Sequence, residues 1–160
     1  MAAASSFQDE LDRFLTDIAM SFATHRSRSA AVVWPRGESL VLQAVTASHG
    51  RAEPSRDGSA SAVGRRLGEL LDRQVQVGLR TVEAGHVEED QHITADTFVV
   101  MVKGVVEVRL QPLGADWPAE VTEFHHRLLA GQVLYAPAQF SCSVTGQHSS
   151  ALLLELTLDA

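Results

Sequence analysis

What most constrains this chain is the stretch from Gln74 to Leu158, a succession of short runs rich in β-branched and aromatic residues: VQVGLRTV, TFVVMV, VVEVRL, EVTEFHHRL, QVLYA, FSCSV and ALLLELTL. Gly85, Gly104, Gly114, Gly131, Pro137 and Gly146 punctuate them, and such residues supply the backbone angles that reversals need. Many short strands at this spacing predict a closed barrel or a sandwich. TFVVMV and ALLLELTL are apolar on both phases of the two-residue period, so each is expected to be covered on both faces.

Upstream the periodicity changes. Phe7, Leu11, Phe14, Leu15, Ile18 and Phe22 recur at three- and four-residue spacing, which predicts an amphipathic helix over Ser6 to Phe22, with Ser6 and Asp9 as its N-terminal cap. Ala30 to Trp34 and Ser39 to Thr46 read as two strands of a hairpin around Pro35, Arg36 and Gly37. Ser48 to Ser61, rich in Gly, Ser, Pro and charge, reads as a mobile loop. Val63, Leu67, Leu70 and Leu71 suit a short second helix. The expected division is 1–61 for the N-terminal helix, hairpin and loop and 62–160 for the barrel, as one structural domain.

With 160 residues, 45% of them hydrophobic, the chain can bury one core. A formal net charge of −7 and a single lysine argue against nucleic acid and anionic membrane as partners, since both demand clustered cations. A lone cysteine, Cys142, leaves no disulfide framework, and no run of roughly 20 apolar residues is present to span a membrane. A cytoplasmic protein is the expectation.

Two stretches carry a family likeness. VQVGLRTVEAGHVEEDQHITADTFVVMVKG and GQVLYAPAQFSCSV resemble the two cupin motifs in the form used by Jumonji-C-like cupins, in which a His-x-Asp pair follows a glycine turn and the second motif runs Gly-Asp-x-Leu-Tyr-x-Pro-x-Gly-x-x-His. Gly131, Leu134, Tyr135 and Pro137 match in register, and the likeness spans roughly Leu67 to Thr157. It implies a mainly β fold, a cupin-type double-stranded β-helix or jelly-roll barrel, here with an N-terminal helix and a short second helix. It also implies iron held by two imidazoles and a carboxylate. His92 takes the first ligand place, but Thr94 stands where the aspartate belongs and Cys142 where the second histidine belongs. Val106 replaces a lysine that pairs with 2-oxoglutarate in that family, so the likeness keeps the scaffold and drops most of the chemistry.

Each candidate residue has a plain alternative. His92 is a metal ligand or, the favoured reading, a hydrogen-bonded residue at the start of a strand. His86, Glu88, Glu89 and Asp90 either rebuild a hard-metal site beside it or form a solvated acidic loop, and Asp96 is the alternative for the carboxylate place, because the segment from His92 to Gly104 is one residue shorter than in the family. Cys142 is a ligand, a nucleophile or, better, a small hydrophobe in the core. His125 and His126, being adjacent on a strand, point to opposite faces. Glu155 lies inside an apolar run and must find a partner, for which Arg80 and Arg109 are the candidates.

The sequence therefore predicts a cupin that has lost its oxygenase centre and binds a small molecule, or a peptide or partner protein, in or beside its barrel, as a homodimer and without a required cofactor. The alternatives are an oxygenase or hydroxylase that holds Fe(II) or another divalent metal with non-standard ligands around His92, and a metal-free isomerase or cyclase using His92, Glu155 or Tyr135 as acid and base.

Overall fold

The computed structural model describes residues 2–49, 58–114 and 117–159. Three helices, α1 (Ala2–His25), α2 (Glu38–His49) and α3 (Ser59–Leu71), accompany nine strands: β1 (Ala31–Val33), β2 (Val75–Val82), β3 (Val87–Ile93), β4 (Thr97–Lys103), β5 (Val105–Pro112), β6 (Phe124–Leu129), β7 (Val133–Ala136), β8 (Phe140–Gly146) and β9 (Ala151–Leu158). The strands form two antiparallel sheets of the jelly-roll kind, one ordered β1-β7-β4-β9-β2 and the other β3-β8-β5-β6.

The inner strands of the five-stranded sheet, β7, β4 and β9, are buried on both faces, which is why β4 and β9 read as continuous apolar runs. Phe98, Val100, Leu152, Leu154, Leu156 and Leu158 point to the helices, where they meet Leu11, Phe14, Leu15, Ile18 and Phe22 of α1. Val99, Met101 and Leu153 point the other way, toward Val106, Val108, Leu110, Phe140 and Val144 of the four-stranded sheet. The latter sheet alternates cleanly, with Glu107, Arg109 and Gln111 of β5 outside, so its outer face meets solvent.

Four expectations need correction. Residues 38–49 form a helix, not the second strand of a hairpin: Val41 and Val45, one turn apart, are both buried against α1 and β4, and a short apolar run satisfies either period until tertiary contacts decide. Asp17 of α1 fixes the preceding turn by accepting from the Arg36 backbone amide at 2.8 Å and from the Arg36 side chain at 3.1 and 3.2 Å. The acidic segment VEEDQHI is a strand, not a loop. It lies at the sheet edge, paired only with β8, so few of its side chains face the core and its polarity is tolerated. Helix α1 begins before Ser6, so Ser6 and Asp9 do not cap it. Finally, the ends of the expected 48–61 loop belong to α2 and α3, and 50–57 lies outside the described residues.

Candidate functional site

The charged groups that converge between the sheets come from three strands. Register places Glu155 and Thr157 of β9, and Gly78 and Arg80 of β2, on the face that carries Leu153 and Ala151 into the inter-sheet core. From the opposing sheet, Glu88 of β3 sits opposite Val144 and Gln91 opposite Cys142, again on the inner face. Arg80 is held between two carboxylates, with one terminal nitrogen paired to Glu155 at 2.8 Å and the other donating to Glu88. The three side chains retain a fifth to a third of their exposure, so the cluster stands at the solvent-facing edge of the core.

This arrangement follows from what burial allows. Glu155 interrupts an apolar strand and would be costly without a cation, and Arg80, diagonally across the ladder on β2, supplies one. Glu88 comes from the edge strand of the other sheet, so the guanidinium ties the two sheet edges, β2 and β3, that the turn at residues 83–86 connects. Arg80 Nε is buried without a partner among the described residues. Each carboxylate spends one oxygen on Arg80, leaving a second acceptor oxygen on each.

Gly78 faces Glu155 directly across the β2–β9 ladder. A Cβ built there meets no atom within 4 Å, and the ladder runs through it without a bulge. Neither backbone conformation nor packing therefore demands glycine at this position; what its absent side chain provides is open space beside Glu155.

Cys142 lies in the same region, 9% exposed. Burial pushes its thiol up to about 11, with Arg80 pulling it down and Glu155 pushing it further up, so at neutral pH it is a neutral, poorly reactive group.

The remaining candidates lie elsewhere. His92 is opposite Ser141 and so belongs to the outer face of the sheet, one position out of phase with Gln91, which takes the inward place beside Cys142. The cause is a bulge between Glu88 and Gln91, where Asp90 adopts φ +50° and shifts the alternation by one residue. His92 and Asp96 line a cleft of about 690 Å³ at the turn end of the sheets, with Trp117 and Pro137. Asp96 anchors that turn, accepting from Tyr135 Oη at 3.2 Å and from the Ala138 amide at 3.0 Å. Tyr135 points into the helical core, where burial and then the Asp96 charge raise its phenol well above the ordinary value. Tyr135, His92 and Glu155 thus occupy three different faces and do not converge. His86 is exposed on the β2–β3 turn. His126 faces inward and meets Gln132 Oε1 at 3.2 Å, while His125 faces out, 3.7 Å from Glu107. Arg109 pairs with Glu123 rather than Glu155, at 2.6 Å.

The metal centre implied by the resemblance needs two imidazoles and a carboxylate on facing strands. Among the described residues no three His, Cys, Asp or Glu side chains are grouped to hold an ion. The inner-facing side offers Gln91, an exposed amide paired across from a protonated thiol, and its two carboxylates already hold a guanidinium. These residues do not fit the triad. Sequence reasoning anticipated the Glu155–Arg80 pair but missed Glu88 as the third member and missed Gly78, although a glycine in mid-strand was itself a signal.

No family model matches the chain, and no curated protein matches it by sequence. Solved structures do. That of ycfD from Escherichia coli aligns over 87% of this chain and 52% of its own at 13% identity with a TM-score of 0.62. Another structure of YcfD, described as a ribosomal oxygenase, aligns over 64% and 28% at 19% identity with a TM-score of 0.53. A cupin superfamily protein from Desulfitobacterium hafniense aligns over 56% and 70% at 21% identity with a TM-score of 0.41. The chain spans about half the length of the first of these. At such identities the likeness shows the fold alone, and that fold is the cupin fold. No helix among the described residues is long and apolar enough to cross a membrane.

Proposed function

We propose that this cupin-fold chain is a binding protein whose inter-sheet mouth takes a small molecule rich in hydrogen-bond donors, such as a polyol or an amino alcohol, and that it works without a metal centre. The observation that carries this reading is the open space at Gly78, facing Glu155. A glycine in a strand interior weakens the strand and often marks the close approach of a ligand.

The chemistry of the walls supports the ligand class. Two carboxylates share one guanidinium, so the cluster has an excess of acceptors and of negative charge. A hydroxyl or ammonium group beside Gly78 would donate to the second oxygen of Glu155, while Val99, which pairs with Glu155 from β4, offers an apolar flank. Arg80 would hold both carboxylates in place before the ligand arrives, sparing the ordering cost on binding. The neutral thiol of Cys142 contributes surface rather than reactivity.

The test is calorimetric titration of the full chain with a panel of polyols, amino alcohols and monosaccharides, repeated with Gly78→Phe, which fills the space, and Glu155→Gln, which removes its charge. Saturable binding by the wild type that Gly78→Phe abolishes without lowering the melting temperature supports the reading. Binding that survives Gly78→Phe overturns it. So does near-stoichiometric iron, manganese or zinc in protein purified without chelators.

A further inference from the structure

The four-stranded sheet carries a second feature on its solvent face, across the sheet from the mouth. Its central strand β8 presents Ser141, Ser143 and Thr145 outward, three short hydroxyl side chains in a row. The flanking strands present long ones, Glu107 and Arg109 of β5 on one side and Glu89 and Asp90 of β3 on the other. Short side chains between long ones make a trough, and its volume is about 450 Å³, within the range of small-molecule sites.

Ser141 lies on the floor of this trough and is only 9% exposed, the single buried polar residue of the described chain. Its hydroxyl has no hydrogen-bond partner among the described residues. That hydroxyl opens onto the trough, where it is free to accept from or donate to whatever occupies it. The Ser143 hydroxyl accepts from the Asp90 amide at 3.1 Å, which holds the bulged edge of β3 over the trough and leaves that hydroxyl's own proton free to donate.

The charge on the walls selects the ligand. The one guanidinium, Arg109, is committed to Glu123 at 2.6 Å. Glu107 lies 3.7 Å from His125 and directly across the β5–β6 ladder from Arg127. Glu89 and Asp90 have no cationic partner among the described residues. The uncompensated carboxylates of Glu89 and Asp90, with hydroxyl acceptors between them and Glu107, match a group that carries positive charge and several donors.

We propose that this trough is a second binding site, distinct from the mouth, for an organic cation bearing a primary ammonium or a guanidinium group. The cationic head enters between β3 and β5, with Glu89 and Asp90 on one side, Glu107 on the other and the Ser141 hydroxyl beneath it. A free diamine and the basic side chain of a peptide present the same head.

The experiment is ¹⁵N–¹H correlation NMR of the full chain at an ionic strength of about 0.15 M, where non-specific surface attraction is largely screened. The probes are 1,5-diaminopentane, N-acetyl-lysinamide, N-acetyl-argininamide and, as the neutral control, 1,5-pentanediol. Saturable shifts of the Ser141, Ser143, Thr145 and Arg109 amides with any cationic probe, but not with the diol, are expected. Preference for the diamine would assign a free polyamine as the ligand, and preference for the amides a basic side chain. Glu89→Gln combined with Asp90→Asn is expected to weaken binding roughly tenfold or more, and Ser143→Leu, which fills the trough, to abolish it. Gly78→Phe is expected to leave it unchanged, so this site stands or falls separately from the mouth. Absence of saturation by every cationic probe up to about 10 mM overturns the proposal, as do shifts spread evenly over the acidic surface or binding that survives Ser143→Leu.

Discussion

Gly78 and Gly146 offer the same chemical change with opposite expected outcomes. Both lie in strands, and replacing either by alanine adds one methyl group. At Gly78 the new Cβ meets nothing within 4 Å, and the residue pairs regularly with Glu155. Glycine in a strand interior costs roughly 0.5–1 kcal/mol relative to alanine through backbone entropy, so Gly78→Ala should gain about that much. At Gly146 the new Cβ falls on the Glu83 carbonyl oxygen and 3.2 Å from Val82 Cγ1. Neither obstacle can move cheaply, because the Gly146 amide also donates to the His86 carbonyl at 2.8 Å, locking β8 onto the β2–β3 turn. Overpacking against backbone costs about 1–3 kcal/mol. With a urea m-value of about 2 kcal/mol/M, the denaturation midpoint should rise by roughly 0.3–0.5 M for Gly78→Ala and fall by roughly 0.5–1.5 M for Gly146→Ala. The m-values should be unchanged. A fall in midpoint for Gly78→Ala would refute the claim that the space beside Glu155 is open and that glycine there is retained for something other than stability.

Three other expectations are open to direct test. Phe22 is 5% exposed and meets the rings of Phe98 and Tyr135 edge-on at 5.8 and 5.6 Å, so Phe22→Ala should cost about 3–5 kcal/mol in urea unfolding; a loss below about 1 kcal/mol would mean that the helices do not share the core of the sheet. The Arg36 side chain and amide hold the Asp17 carboxyl below the usual carboxylate range, so this pair stabilises the fold above the unfolded-state pKa and the contribution is lost as pH falls through the lower folded-state value; Asp17→Asn should lower stability at pH 7 and converge with the wild type in acid, and a pH-independent difference would contradict it. Because the Cys142 thiol is pushed up to about 11, folding favours its neutral form, and stability should decline as pH rises from the ordinary thiol value of 9.0 toward 11; Cys142→Ala should remove that decline, and rapid labelling of the native thiol at pH 7 would refute its burial.

The parts of the fold that were legible in the sequence are those where one rule acts alone. The runs of β2, β4, β5, β7, β8 and β9 could be read because strands covered on both faces are apolar throughout and those covered on one alternate. The α1 stripe was readable because six apolar residues hold the helical period over four turns. Residues 38–49 were not, because Leu40 to Val45 is short enough to satisfy either period, and contact with α1 decided it. β3 was not, because an edge strand with five polar residues in seven carries little apolar signal.

At the candidate site the division is sharper. The sequence by itself determined that Glu155, set in an apolar run, needs a cation, and its resemblance to the Jumonji-C-like cupins set Thr94 and Cys142 at places where that family has metal ligands. It could not determine that Glu88 completes the cluster or that Gln91, and not His92, turns inward, because the single bulged residue at Asp90 reverses which face each neighbour occupies. Nor could it reveal the trough at Ser141, whose walls come from strands far apart in the chain. Composition and period fix which residues must be buried, since those are local properties of the chain. Which buried or half-buried groups face one another depends on strand order and register, and those are decided only when the two sheets pack.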